Sequence, residues 1–487
     1  MSIELKRWNF LVPALFLAAC SAAEGNDWPM WGGTPQRNMV NTVEKNIPAS
    51  WDIQTGRNVK WVAQLGSQAY GNPVVAGGKV FVGTNNQAGR QPKAKGDKGV
   101  VMCFAEKDGK FLWQLTHDKL QAGRVNDWPQ QGICSSPCVE GNRVYYVSNR
   151  CELVCADVEG FRDGKNDGPY TDEKLTSPID GDIVWKLDMI KELGVFPHNM
   201  SASSPVIDGD LVFIVTGNGV DEGHKVIPAP DAPDFLAVDK HTGKVVWQRN
   251  DPRNNILHGQ WSCAAVGTMG GKRQVVFPGG DGRLYSFDPP TGKLLWSFQA
   301  NPPGSVYRLG SQGTRNEIIA TPVVYDDKVF ISLGQDPEHG EGPSHMYAVD
   351  GTREGDLTGS GAVWHNGEVQ RALSTAAIHG GIVYHCDLSG TFRAIDARTG
   401  KTLWMHDLKS AVWGSPYVVD GKIFIGNEDG VVTVFKEGPA KEVLSEVNMD
   451  TSVYTTPVAA NGVLFVSNRE HLYAIQEGAQ SDPKKVN

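Results

Sequence analysis

The sequence predicts an all-β fold: an eight-bladed β-propeller of four-stranded antiparallel blades, closed by an N-terminal strand that completes the last blade. Three observations predict it. A turn-and-tryptophan unit recurs along the chain, eight small-residue pairs each open an apolar strand, and the strand missing from the final unit is present near the N-terminus.

The unit appears in near copies at Asp239-x-x-Thr242-Gly243-Lys244-x-x-Trp247, Asp288-x-x-Thr291-Gly292-Lys293-x-x-Trp296 and Asp396-x-x-Thr399-Gly400-Lys401-x-x-Trp404. Degenerate versions lead to Trp113, Trp185 and Trp364. Asp accepts backbone donors in the turn, and Gly supplies a positive φ. The Trp lies on an outer strand, where a large ring packs between neighbouring sheets. These duties are structural.

The small-residue pairs are Asn72-Pro73, Ser136-Pro137, Ser204-Pro205, Cys263-Ala264, Thr321-Pro322, Thr375-Ala376, Ser415-Pro416 and Thr456-Pro457. A short apolar strand, a Gly- or Asp-containing turn and a β-branched strand follow each pair, as in consecutive hairpins. One such sheet cannot bury both faces, whereas radial stacking of neighbours does. The eighth unit ends without an outer strand. Asn58–Val62, with its own Trp61, supplies one and leaves no open edge. In the seventh unit Val443-Leu444 stands where the Trp is expected. The propeller is expected over residues 51–477, preceded by a segment at 20–50 and followed by a polar tail at 478–487.

Of 487 residues, 40% are hydrophobic and 21% charged, enough for a large core. The net charge of -9 excludes nucleic acid as a main partner, since phosphate binding needs concentrated Lys and Arg. Lys6 and Arg7 precede an apolar run, Phe10 to Ala19, too short to span a bilayer and proportioned as a signal peptide, 1–19. Its end, Leu17-Ala18-Ala19-Cys20, resembles a bacterial lipobox, which makes Cys20 the expected lipidation site and membrane anchor. Cys134, Cys138, Cys151 and Cys155 read as buried thiols, with a bridge among them as the alternative that export permits.

The repeated Asp-x-x-Thr-Gly-Lys-x-x-Trp unit resembles the pyrroloquinoline-quinone repeat, over roughly residues 51–477. Asp27-Trp28-Pro29-Met30-Trp31-Gly32-Gly33 with Arg37-Asn38 is similar to the leading segment of exported members. That repeat builds eight-bladed quinoprotein alcohol dehydrogenases. It also builds the non-enzymatic propeller lipoprotein of the outer-membrane-protein assembly machine. The resemblance implies an exported lipoprotein, anchored at the periplasmic face of an outer membrane. In its enzyme branch it would imply pyrroloquinoline quinone and Ca2+ as cofactors. The adjacent Cys-Cys pair of those enzymes and the Cys-x-x-Cys-His motif of fused haem domains are both missing from the sequence.

Blades of one polarity bring the residues before each small-residue pair to one channel mouth. In order these are Tyr70; Trp128, Gln130 and Gln131; His198 and Asn199; His258, Gln260 and Trp261; Arg315, Asn316 and Glu317; Arg371; Trp413; and Tyr454. Aromatic, cationic and imidazole groups suit a polar planar or anionic ligand. A quinone there would use Arg315 and Arg371 for its carboxylates, Trp261 for stacking and Glu317 for calcium. The loop carrying Asp336, Glu338 and His339, with His345, offers divalent-metal ligands or a polar rim. The loop at 157–168 lacks EF-hand spacing and reads as an exposed acidic insertion. The leading functional reading is a binding or scaffold propeller with a protein or small-molecule partner. The alternative is a quinoprotein dehydrogenase acting on an alcohol or sugar, and a third reading is a carbohydrate-binding propeller.

Overall fold

The computed structural model describes residues 26–487 apart from Pro483. The expected signal peptide and the lipidation site Cys20 lie outside the described residues. No helix among those described is long and apolar enough to cross a membrane.

Short β-branched runs between Gly turns form eight sheets, each with four antiparallel strands, arranged as an eight-bladed propeller. The blades occupy residues 74–118, 138–188, 206–249, 265–299, 323–366, 377–407, 417–448 and 458–480. Every blade opens one residue after the second member of a small-residue pair. The eighth is completed by Arg57–Gln64, antiparallel to His471–Gln480, with Trp61 opposite Ala474. The polar end of the chain runs back over this seam: that strand extends to Gln480, and the Asn487 carbonyl accepts from Gln64 N.

The repeated unit is a latch between blades. The indole N–H of five of these Trp donates to a carbonyl at the turn of the next blade: Trp113 to Val158, Trp185 to Lys240, Trp247 to Pro289, Trp364 to Ala397 and Trp404 to Gly438, whereas Trp296 donates to Gln274 Oε1 of its own blade. The turn glycine lies against the same ring. A Cβ on Gly400, whose φ is +73°, would stand 2.6 Å from Trp364. The turn Asp works as expected, Asp396 Oδ1 accepting from Arg398 N, Thr399 N and Thr399 Oγ1. In blade seven, Val443 and Leu444 stay exposed at 40% and 39%. Trp51, from the segment before the first strand, stacks on Phe424 of that blade instead.

A second ring of bonds surrounds the channel. The backbone N–H of Asn72 donates to Ser136 Oγ, Ser136 N to Ser204 Oγ, and Ser204 N to Cys263 Sγ. The belt resumes from Thr321 N to Thr375 Oγ1, then to Ser415 Oγ, Thr456 Oγ1 and back to Asn72 Oδ1. In seven of the eight pairs the first residue is therefore a short acceptor for an amide of the preceding pair, and the eighth, Thr321, accepts from the Trp31 indole instead.

The segment from Asp27 plugs the channel at the end opposite the mouth residues, and it contacts all eight blades. Trp28 pairs with Val75, and the carbonyls of Pro29, Pro35, Gln36 and Met39 accept from Val139, Val266, Val324 and Val418. Asn38 exchanges hydrogen bonds with the Ile378 backbone, and Glu44 accepts from Gly462 N. Arg37 is wholly buried, its guanidinium donating to the carbonyls of Ala264, Trp31 and Ser204 at 2.7–2.9 Å.

Candidate functional site

The plug turns the channel into a cup. Its cavity, about 360 Å³, is floored by Trp31 and walled by the belt residues Asn72, Ser136, Ser204, Cys263, Thr321, Thr375, Ser415 and Thr456. Above the belt the wall is aromatic. Tyr70 stacks on Tyr454 at 4.7 Å between ring centroids, and Trp413 meets Tyr454 edge-on at 5.3 Å. Glu428 holds the group, accepting from Tyr454 Oη at 3.3 Å and Trp413 Nε1 at 3.5 Å. Burial pushes the Tyr70 phenol up, so it stays a neutral hydroxyl. Trp128, Gln131 and Trp261 line the other side, with Asp336 and Glu338 at the rim. The Trp261 indole donates to the His198 carbonyl at 2.9 Å.

Other residues expected at the mouth are drawn elsewhere by local partners. Arg315 donates to Ser305 Oγ, and Arg371 to Asn316 Oδ1 and the His339 carbonyl; neither lines the cavity. Glu317 is fully buried, and desolvation together with the charge of Asp336 pushes its carboxyl well above the usual range. His345 pairs with His365 at 3.0 Å, apart from Asp336 and His339. All seven described cysteines are free thiols, and burial pushes Cys134, Cys138, Cys151 and Cys155 up to about 12.

His198 and His258 join a histidine cluster beside the cup. Asp336 Oδ2 accepts from His258 Nδ1 at 2.7 Å and from His339 Nδ1 at 2.8 Å. His258 Nε2 lies 3.1 Å from Nε2 of His224. Burial acts to raise the Asp336 carboxyl, but bonds and charge from His258 and His339 outweigh it and hold the group well below the usual range. Burial, then the neighbouring His258, lowers His198 to about 3, so it is neutral at physiological pH. His198 and His224 line a second cavity of about 270 Å³ with Arg124, Trp128, Glu222 and Glu338. Arg124 lies 3.8 Å over the Trp128 ring and 3.3 Å from Glu338. Sequence reasoning missed His224, which sits in an insertion between two strands of blade three, outside the repeated unit.

A family model described as outer membrane protein assembly factor BamB, of the pyrroloquinoline-quinone-repeat type, matches residues 172–357 and 347–441, more than half of the chain. The chain belongs to this repeat-propeller family. A relative from Yersinia pestis, named outer membrane protein assembly factor BamB, is 20% identical over 302 residues, 61% of this chain and 67% of that protein. A polyvinylalcohol dehydrogenase from Pseudomonas sp is 25% identical over 341 residues, 62% of this chain and half the length of that enzyme. Among solved structures, BamB from Moraxella catarrhalis superposes with a TM-score of 0.55 at 16% identity, covering 87% of this chain and 98% of that one. A quinohemoprotein alcohol dehydrogenase from Pseudomonas putida HK5 gives 0.61 at 14% identity, covering 94% and 81%. At these identities the superpositions show the shared fold.

The quinone can be tested against the repeat propeller's own cup. Pyrroloquinoline quinone is a tricarboxylate and needs cationic donors. No Lys or Arg lines the cup, and its charged groups are the carboxylates Asp336 and Glu338. Arg124, on the adjoining cavity, is already engaged by Glu338 and Trp128. The residues present do not fit the quinone, and we derive no chemistry through it.

Proposed function

We propose that this chain is a non-catalytic propeller scaffold that works in outer-membrane protein assembly, held at the exported face of a membrane by a lipid on Cys20. In this reading the aromatic mouth of the cup captures a protein partner. The observation that carries it is the cup's lining: packed Tyr and Trp rings over a belt made mostly of Ser and Thr hydroxyls, without the cations a quinone requires. Half-buried aromatic rings at a cavity mouth are side chains that anchor protein partners. The family model and the Yersinia relative, both described as an assembly factor, support the same reading.

The test is a titration of purified protein with pyrroloquinoline quinone and calcium, followed by absorbance and by reduction of an artificial electron acceptor. The scaffold reading expects no stoichiometric uptake and no alcohol-dependent reduction. A one-to-one complex with turnover would replace it with the dehydrogenase reading.

A further inference from the structure

Three imidazoles meet beside the cup, brought together by two blades. His198 precedes blade three, His224 lies in that blade's insertion, and His258 precedes blade four. One ring nitrogen of each lies within 4.8 Å of the other two. Their protonation can be read from their partners. His198 Nδ1 faces the Val220 carbonyl at 2.8 Å, and a carbonyl only accepts, so the proton sits on Nδ1. Nε2 is left with a bare lone pair, which is buried and has no hydrogen-bond partner. His258 repeats the arrangement with its Nδ1 on Asp336 Oδ2, leaving its own Nε2 to face His224. A buried acceptor without a donor is costly.

We infer that His198, His224 and His258 form a binding site for a divalent transition-metal ion of the zinc class. Metal-bound imidazoles commonly donate their second ring N–H to a carboxylate or a backbone carbonyl, which fixes tautomer and orientation. Asp336 does this for His258 and the Val220 carbonyl for His198. Tetrahedral bonds of about 2.0–2.1 Å set ligand nitrogens about 3.3 Å apart, near the 3.1 Å between His224 and His258. Imidazole donors select zinc-like ions over calcium or magnesium, which take oxygen ligands. Three protein ligands leave a coordination position open. His198 and His224 both line the cavity shared with Arg124, Glu222 and Glu338, so the ion has a path to the site through that cavity. Gly310 keeps His224 in place: a Cβ there would stand 2.6 Å from the His224 Cβ.

This inference is independent of the scaffold reading, because either can fail alone. The test is calorimetric titration of the metal-stripped protein with zinc chloride, and of a parallel sample with cobalt(II) read by visible absorption. The wild type should bind one equivalent, with the cobalt spectrum of a four-coordinate, nitrogen-ligated ion. His224 is only partly buried, so His224→Ala should melt like the wild type while losing more than about 100-fold in affinity. Asp336→Asn, which removes the support rather than a ligand, should lose about 10–100-fold. His345→Ala, on the separate His345–His365 pair, should change nothing. No stoichiometric binding by the wild type would overturn the inference, as would binding that survives His224→Ala unchanged or is lost in His345→Ala.

Discussion

The indole N–H of Trp61 donates to the backbone carbonyl of Glu106 at 2.9 Å, so a strand from the start of the chain latches the last blade onto the first. The Trp61 ring also rests on Gly109, whose added Cβ would stand 2.5 Å away, and it tilts against Phe465 at 5.9 Å. Trp61→Ala should therefore lower stability by about 3–5 kcal/mol, the range for truncating a buried aromatic. Leu444→Ala, at the exposed position in blade seven, should stay within about 0.5 kcal/mol of wild type. Urea unfolding read by tryptophan fluorescence checks both; equal midpoints for the two variants would contradict the closure.

Arg37 makes the plug a single structure with the ring. Its guanidinium is desolvated, which lowers its basicity, and it is held by three carbonyls. Arg37→Ala leaves those acceptors buried without donors, and at about 1–3 kcal/mol for each unsatisfied group it should cost at least about 3 kcal/mol. Limited proteolysis should then cut within the segment from 27 to 44 while the blades resist. A variant whose segment stayed protected would show that the plug does not depend on this residue.

Asp234 gives a pH dependence with a defined sign. It is fully buried, accepts from Gln260 Nε2 at 2.7 Å, and is pushed up to about 7, mainly by desolvation. In the unfolded chain an Asp titrates near about 3.9. Between those values the native state holds the extra proton, so this contribution is complete below about pH 4 and is lost as pH rises through about 7. Asp234→Asn should therefore gain stability relative to wild type as pH is raised from about 5 to about 8. Thermal melts across that range decide it, and a constant difference would contradict the assignment.

The blades were legible because their signals are local and repeated. A short acceptor, a Pro or Ala and an apolar run mark each inner strand, and the spacing to Trp marks each outer one. The belt itself was not legible: Ser204 Oγ serves the amide of Ser136, 68 residues away, and no pattern within one unit reports that. The plug was missed for the same reason, since its bonds reach every blade from one aperiodic stretch. At the mouth, register placed Tyr70, Trp128, Trp261, Trp413 and Tyr454 around one cup. Register states where a residue starts, however, and not where a long side chain ends. Arg315 turns back into its own loop, Arg371 is taken by Asn316 and the His339 carbonyl, and His258 reaches sideways to an insertion.

The most direct measurement of the central claim is crosslinking from the cup in the native membrane. A photoreactive amino acid placed at Tyr454 or Trp413 should yield one discrete protein adduct on illumination, absent when the same group replaces the exposed Val246 on an outer strand. The account predicts that adduct from both mouth positions. No adduct from either, or the same adduct from Val246, would contradict partner capture at the aromatic mouth.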